Sequence, residues 1–126
     1  MVGWPLVTGF VVVIAGGLGA GLRFLVSDWA ARRVSVEFPW GTAIANGCGA
    51  LLLGGAVGAG LDGVAMSAVV GALSGFTTYS TWTVETVSLW REGPGGRLPA
   101  AVNHLGLFIV GLALAWVGWA VGGLFA

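Results

Sequence analysis

The stretch Gly71-Ala-Leu-Ser-Gly-Phe-Thr-Thr-Tyr-Ser-Thr-Trp82 lies inside a long apolar segment and carries five serine and threonine hydroxyls. Backbone groups in lipid must be satisfied within the protein, so irregular chain at that depth is buried or lines an aqueous path. Two structures fit these residues. One is a pair of half-helices joined by a non-helical turn at residues 74–79, which would aim dipoles and carbonyls at ions. The other is a continuous helix whose hydroxyls bond back to its own carbonyls.

The whole chain is too apolar for a water-soluble domain. Of its 126 residues, 57% are hydrophobic and 8% are charged, and the mean hydropathy is +0.97. A soluble domain carries roughly 25% charged residues. The 24 glycines lie largely inside the apolar runs, which is typical of membrane helices packed through small residues. No basic tract indicates nucleic acid, and the N-terminus lacks the positive region of a cleaved signal peptide.

Four apolar segments are long enough to cross a bilayer, which takes about 20 residues per helix. They run approximately over residues 6–26, 42–61, 64–90 and 99–125. The sequence therefore predicts one all-α membrane domain over residues 1–126 with four transmembrane helices. Small residues at a spacing of four predict close approach of helix backbones, and these pairs are Gly17/Gly21, Gly54/Gly58, Gly71/Gly75 and Gly118/Gly122.

The arginines favour a single orientation in the membrane. If the helices alternate in direction, the first and third loops share one side. All five positive residues fall on or near that side, namely Arg23, Arg32, Arg33, Arg91 and Arg97. The positive-inside rule then places this side in the cytoplasm and both termini outside.

No group of side chains predicts catalysis, so the chain is not expected to be an enzyme. Cys48 and His104 lack the companions of a metal site. We expect a packing role for Cys48 and a packing or interfacial role for His104. Arg23 can extend its side chain to the membrane interface or attract anions to a vestibule. Glu85 is the one acid inside an apolar segment, which makes it a functional candidate. Interfacial pairing of Glu85 with Arg91 is an equal alternative.

The remaining polar groups suit a small, strongly hydrated anion. The amide of Asn46 can donate two hydrogen bonds, and Ser80 and Thr81 are hydroxyl donors. Tyr79 and Trp82 lie three residues apart, on one face if a helix resumes there. The edges of their rings carry positive charge. Ordinary helix packing is the alternative role for these two side chains.

These motifs resemble the Fluc (CrcB) fluoride channels over nearly the whole chain. The resemblance rests on Gly-Ala-Gly-Leu-Arg23-Phe, Gly41-Thr-x-x-x-Asn46 and Gly75-Phe-Thr-Thr-Tyr-Ser-Thr-Trp-Thr-Val-Glu85. It implies a fluoride-specific channel subunit of the plasma (inner) membrane that lets fluoride leave the cytoplasm passively and so reduces fluoride toxicity. It also implies a break in the third helix and an antiparallel dimer with a structural sodium ion at its centre.

The resemblance gives roles to individual residues. Those implied for the fluoride pathway are Asn46, Tyr79, Ser80, Thr81 and Trp82, with Tyr79 and Trp82 replacing two phenylalanines. The backbone carbonyls of Ser74 and Thr77 would hold the sodium ion, with Ser74 in place of the usual glycine. In the fourth helix, Leu107 and Gly111 stand where some members supply serines.

The dimer partner and two other functions stay open. A homodimer with dual topology needs a weak arginine asymmetry, whereas this chain favours a heterodimer with an oppositely inserted homologue. A small proton-coupled multidrug exporter would need a carboxylate near the middle of its first helix, and residues 6–26 contain none. A non-conducting structural subunit is supported only by the altered aromatic and fourth-helix residues.

Overall fold

The computed structural model describes residues 3–126 and contains only helices and turns across that range. The α-helices are α1 Gly3–Arg33, α2 Trp40–Gly58, α3 Gly63–Phe76, α4 Ser80–Arg91, α5 Arg97–Ala101 and α6 Leu107–Gly122. A 3-10 turn at Pro94–Gly96 leads into α5, and a π-helical segment at Val102–Gly106 joins α5 to α6. The chain is therefore all-α, as its sequence predicts.

Three helical stretches of the described residues are long and apolar enough to cross a membrane. They are Pro5–Arg33, Trp40–Gly58 and Pro94–Gly122. The two helices between them, α3 and α4, have 14 and 12 residues. At 1.5 Å per residue, neither of these would span a hydrocarbon core about 30 Å thick on its own.

The first helix is longer than its apolar segment. It was expected to end near residue 26, but α1 continues to Arg33. Its last turns carry a pair four residues apart, in which the Arg32 Nε and Nη2 atoms lie 3.0 and 2.9 Å from Asp28 Oδ1. Such a pair stabilises a helix, so the polar residues that were expected to form a loop extend α1 instead.

The other boundaries differ at the turns. Helix α2 ends at Gly58 rather than near residue 61, because the chain turns back at Gly60, where φ is +68°. The predicted segment 64–90 is occupied by α3 and α4, with residues 77–79 between them. The half-helix alternative placed the non-helical turn at residues 74–79, but Ser74, Gly75 and Phe76 belong to α3.

Two helix pairs pack backbone against backbone. Helix α3 lies against α1, where a Cβ atom at Gly71 would stand 2.6 Å from the Val12 carbonyl oxygen. Helix α6 lies against α2, where a Cβ atom at Gly54 would collide with the carbonyl of Ala115. Only glycine permits this approach, which is the close packing that the glycine spacing predicts.

One of the predicted glycine pairs takes no part in this packing. A Cβ atom at Gly17 or Gly21 would meet nothing within 4 Å. The α1 contacts with α3 are made through Gly16 and Gly19 instead, and a Cβ at Gly19 would collide with the carbonyl of Ala72. The pair at Gly17 and Gly21 lies on an exposed face of α1. The glycine spacing therefore predicted correctly that α1 packs closely, but it indicated the wrong face of the helix.

Large apolar side chains mostly point away from the chain. The buried apolar residues among those described are Ala30, Ala45, Ala56, Phe76, Leu89 and Ala100. In contrast, Leu18 and Phe24 on α1 are 72% and 71% exposed. Lipid tails solvate apolar side chains as well as a protein core does, so this distribution is typical of helices that pack through small residues in a bilayer.

Candidate functional site

Asn46 on α2 binds the backbone between α3 and α4. Its Nδ2 donates to the Thr78 carbonyl at 2.9 Å, and the Thr78 N–H donates to its Oδ1 at 2.8 Å. In a continuous α-helix the Thr78 N–H would donate to the carbonyl of Ser74. Asn46 therefore replaces a bond of the helix, and the Ser74 carbonyl loses that donor.

The threonines on either side of this interval bond to nearby chain. The Thr77 hydroxyl donates to the Leu73 carbonyl at 2.8 Å. The Thr78 hydroxyl oxygen, Oγ1, lies 3.0 Å from the Thr81 hydroxyl oxygen and accepts a hydrogen bond from the Thr81 N–H at 3.3 Å. This bond satisfies an amide in the first turn of α4 that has no partner within the helix. The Thr83 hydroxyl donates to the Tyr79 carbonyl at 3.0 Å. These bonds fix where α3 ends and α4 begins.

The two aromatic candidates contact each other at the start of α4. The rings of Tyr79 and Trp82 meet edge to face, with centroids 5.9 Å apart and an interplanar angle of 81°. Trp82 also stacks on His104, with ring centroids 5.1 Å apart and an interplanar angle of 26°. The Tyr79 side chain is 70% exposed, and its ring is the outer member of the group.

An open groove of about 660 Å³ collects most of the predicted residues. Asn46 and Thr78 lie along it together with both aromatic rings, and Leu107 and Gly111 form part of its wall on the α6 side. Ser74 and Thr77, the residues predicted for sodium, also line it. Ser80 and Thr81 are not among its lining residues; Ser80 is exposed, and Thr81 bonds to Thr78.

A second polar contact lies at the end of the molecule where α1 finishes. The Thr42 hydroxyl donates to Glu85 Oε1 at 2.8 Å, beside a cavity of about 360 Å³. Glu85 therefore bonds to Thr42 and does not pair with Arg91; within residues 3–126 the ion pair present joins Asp28 and Arg32. Ser27 of α1 also lines this cavity, so α1, α2 and α4 meet at this end.

Several buried polar atoms lack a hydrogen-bond partner within the described chain. They are Arg23 Nε, Glu85 Oε2, Asn103 Oδ1 and His104 Nδ1. Asn103, which is completely buried, was missed by the sequence reasoning. A polar side chain inside an apolar segment was the available signal. The bond of Thr42 to Glu85 was also missed, although Thr42 lies four residues before Asn46 and on the same side of α2.

Backbone oxygens are the available ligands for a cation near the groove. No group of three or more His, Cys, Asp or Glu side chains in residues 3–126 could hold a metal ion. Hard cations take oxygen ligands, including backbone carbonyls, and the Ser74 carbonyl is freed from its helical donor as described above. No non-glycine residue described has a positive φ, so serine fits at this position without strain. The Ser74 carbonyl is therefore available as a ligand for a hard cation such as sodium.

The sequence of this chain is similar to those of known proteins over most of its length. The sequence model of the family described as "CrcB-like protein, Camphor Resistance (CrcB)" matches residues 10–119. The fluoride-specific ion channel FluC of Anaeromyxobacter sp. (strain K) is 38% identical over 111 residues, covering 83% of this chain and 86% of that protein.

Two further relatives match over a longer stretch. The fluoride-specific ion channel FluC 1 of Rubrobacter xylanophilus is 39% identical over 119 residues, covering 89% of this chain and 94% of that protein. The fluoride-specific ion channel FluC 2 of Moorella thermoacetica is 39% identical over 122 residues, covering 92% and 98%. The residues matched by the family model, 10–119, include α2, α3, α4 and all the residues that line the groove.

Proposed function

The chain belongs to the CrcB family, and from this premise we propose that it is a subunit of a fluoride-specific ion channel. The observation that carries the proposal is the groove in which Asn46 and Thr78 lie beside the rings of Tyr79 and Trp82. Fluoride would leave the cytoplasm down its electrochemical gradient, which lowers its toxicity. Such passive movement requires no enzyme chemistry.

The groove offers hydrogen-bond donors and ring edges without a fixed positive charge. The Asn46 amide uses one N–H on the Thr78 carbonyl, and its second N–H is a donor for fluoride. The ring edges of Tyr79 and Trp82 carry partial positive charge. Weak sites of this kind suit conduction, because an ion must bind well enough to enter and weakly enough to leave.

The third crossing of the membrane is proposed to consist of α3 and α4 together. Neither helix is long enough to span alone, and residues 63–91 are long enough when combined. The end of α1, the start of α2 and the end of α4 share the 360 Å³ cavity, which supports alternating directions. The arginines then lie at the cytoplasmic face of the plasma membrane, with both termini outside.

A second subunit is required to close the pathway. The groove is open along one side of the chain, and four short helices do not enclose a pore. An antiparallel dimer would cover it, and the carbonyls of Ser74 and Thr77 would then hold a structural sodium ion where the subunits meet. The one-sided arginines support a heterodimer with an oppositely inserted homologue, since one sequence with this asymmetry inserts in a single direction.

Fluoride efflux from liposomes tests the proposed function. Purified protein is reconstituted alone, and fluoride and chloride are followed with ion-selective electrodes. Fluoride-selective efflux from the protein alone would establish a conducting homodimer. Efflux that appears only after a homologue inserted in the opposite direction is added would establish the heterodimer. Absence of efflux from folded protein in both preparations would contradict the channel and favour a non-conducting subunit.

Labelling of the two termini tests the orientation separately. Cysteines placed at either terminus in intact cells, on a Cys48→Ala background, are exposed to a membrane-impermeant maleimide. We expect both termini to be labelled from outside. Labelling of half of the molecules would indicate dual insertion and contradict the heterodimer.

A further inference from the structure

The indole of Trp82 is held from three directions. Its Nε1–H donates to the backbone carbonyl of Asn103 at 2.5 Å. One face of the ring stacks on His104, and Tyr79 meets the ring at 81°. Tryptophan has an indole N–H that phenylalanine lacks, and here this group is used inside the chain.

The side chain of Asn103 also forms hydrogen bonds with α4. Its Nδ2 donates to Thr86 Oγ1 at 2.9 Å and lies 3.4 Å from the Trp82 carbonyl. The Thr86 hydroxyl donates its own proton to the Trp82 carbonyl at 2.9 Å. Because that proton is already used, Thr86 Oγ1 accepts from Asn103, which fixes the orientation of the amide.

The π-helical segment makes the Asn103 carbonyl available. In an α-helix this carbonyl would accept the N–H of Leu107. Here the Leu107 N–H donates to the carbonyls of His104 and Val102. The Asn103 carbonyl is therefore free to accept the indole, and π-helical turns of this kind are frequent at functional sites.

We infer that Asn103 is a positioning residue that holds the indole N–H of Trp82 away from the groove, so that fluoride meets only the ring. The inference rests on the proposed function. A free indole N–H would form a charge-assisted hydrogen bond with the anion, which is among the stronger hydrogen bonds in proteins. A strongly held ion leaves slowly. Because the indole N–H already donates to the Asn103 carbonyl, it does not bind fluoride in this way.

The indole N–H of Trp82 can be observed directly. Protein labelled with ¹⁵N-tryptophan in detergent gives one indole resonance for each of its seven tryptophans, and the Trp82→Phe variant identifies the one from Trp82. We expect this resonance to be unchanged when sodium fluoride replaces sodium chloride. A shift that depends on fluoride and saturates would show that the N–H binds the anion and would overturn the inference.

A matched pair of variants tests the role of the Asn103 side chain. Thr86→Val removes the oxygen that accepts from Asn103 with little change in shape, and Thr86→Ser keeps it. In Thr86→Val we expect the Trp82 indole N–H to exchange with solvent on the order of fivefold faster and to acquire a fluoride-dependent shift. Thr86→Ser should behave as the wild type does.

Efflux from liposomes gives the second readout. Thr86→Val should conduct fluoride several times more slowly than Thr86→Ser, because the released N–H retains the ion. If the two variants match in exchange, shift and efflux, Asn103 is not a positioning residue. If wild-type protein shows the protected indole but no efflux with or without a homologue, the proposed function fails and the pathway role fails with it. If Thr86→Val does not fold, the fluoride titration of the wild-type resonance decides the inference.

Discussion

Two regions of the molecule hold helices together by opposite means. In the glycine contacts, defined here as the α1–α3 and α2–α6 interfaces, backbones touch where a Cβ would collide. In the polar junction, defined as residues 77–86 with Asn46 and Asn103, side chains bond to backbone across gaps between elements. The glycine contacts depend on the absence of side-chain atoms, and the polar junction depends on the direction of its hydrogen-bond donors. The two regions are therefore sensitive to different kinds of substitution.

Filling a glycine contact should have the largest effect. In Gly54→Leu the new side chain would collide with the Ala115 carbonyl, and backbone has little room to move in a packed interface. We expect no folded protein by size-exclusion chromatography in detergent. Gly9→Leu is the control, because a Cβ there meets nothing within 4 Å. Equal yields of folded protein from both variants would show that the glycine contacts do not hold the helices.

Removing the amide of Asn46 should have the next largest effect. Asn46→Leu leaves the N–H and carbonyl of Thr78 without their partners, and each unsatisfied buried group costs about 1–3 kcal/mol. We expect the free energy of unfolding to fall by about 3 kcal/mol and fluoride efflux to be lost. Chemical unfolding in detergent and liposome efflux measure the two effects.

The isosteric change Asn46→Asp distinguishes the effects of the two hydrogen bonds between Asn46 and Thr78. It keeps the acceptor for the Thr78 N–H and loses the donor to the Thr78 carbonyl. We expect a smaller loss of stability than in Asn46→Leu, with efflux still abolished because the carboxylate repels fluoride. Normal efflux from Asn46→Asp would contradict a place for Asn46 in the pathway.

The contact between Thr42 and Glu85 should matter less. Thr42→Val removes the hydroxyl that donates to Glu85 Oε1, and hydrogen bonds to charged groups contribute about 1.5–3 kcal/mol. Because Glu85 is partly exposed, we expect a loss of about 1.5 kcal/mol in the same unfolding measurement. Thr42→Ser keeps the donor and should lose less. If serine and valine destabilise the protein equally, the hydroxyl does not stabilise the fold.

The surface pair on α1 should have the smallest effect. The side chains of Arg32 and Asp28 are 73% and 42% exposed, and exposed pairs of this spacing contribute about 0.3–0.5 kcal/mol. Asp28→Asn should therefore change the unfolding free energy by less than about 0.5 kcal/mol, and salt should weaken even that effect. A loss as large as that of Thr42→Val would mean that α1 depends on this pair.

The glycine contacts and the polar junction were not equally predictable. Apolar length and glycine spacing are local properties, and they gave the helical class and most of the close contacts. They did not say which face of α1 would be used, because Gly17/Gly21 and Gly16/Gly19 have similar spacing. The extension of α1 to Arg33 was missed because hydropathy does not register a helix stabilised by an ion pair.

The site was predictable as a set of residues but not as a set of bonds. The Thr-Thr-Tyr-Ser-Thr-Trp stretch indicated where polar groups gather. The link from Asn46 to Thr78 spans 32 positions, and that from Asn103 to Trp82 spans 21, so no local pattern could reveal either. The roles of Asn46, Tyr79, Ser80, Thr81 and Trp82 in a fluoride pathway stay predictions.

The outward direction of the large apolar side chains has a thermodynamic consequence. The heat-capacity change of unfolding comes mainly from apolar surface newly exposed to water. Separating these helices within a bilayer would uncover mostly backbone and glycine, and the side chains already facing lipid would stay there. The stability of the chain should therefore fall almost linearly with temperature. It should lack the maximum near room temperature and the cold denaturation of water-soluble domains.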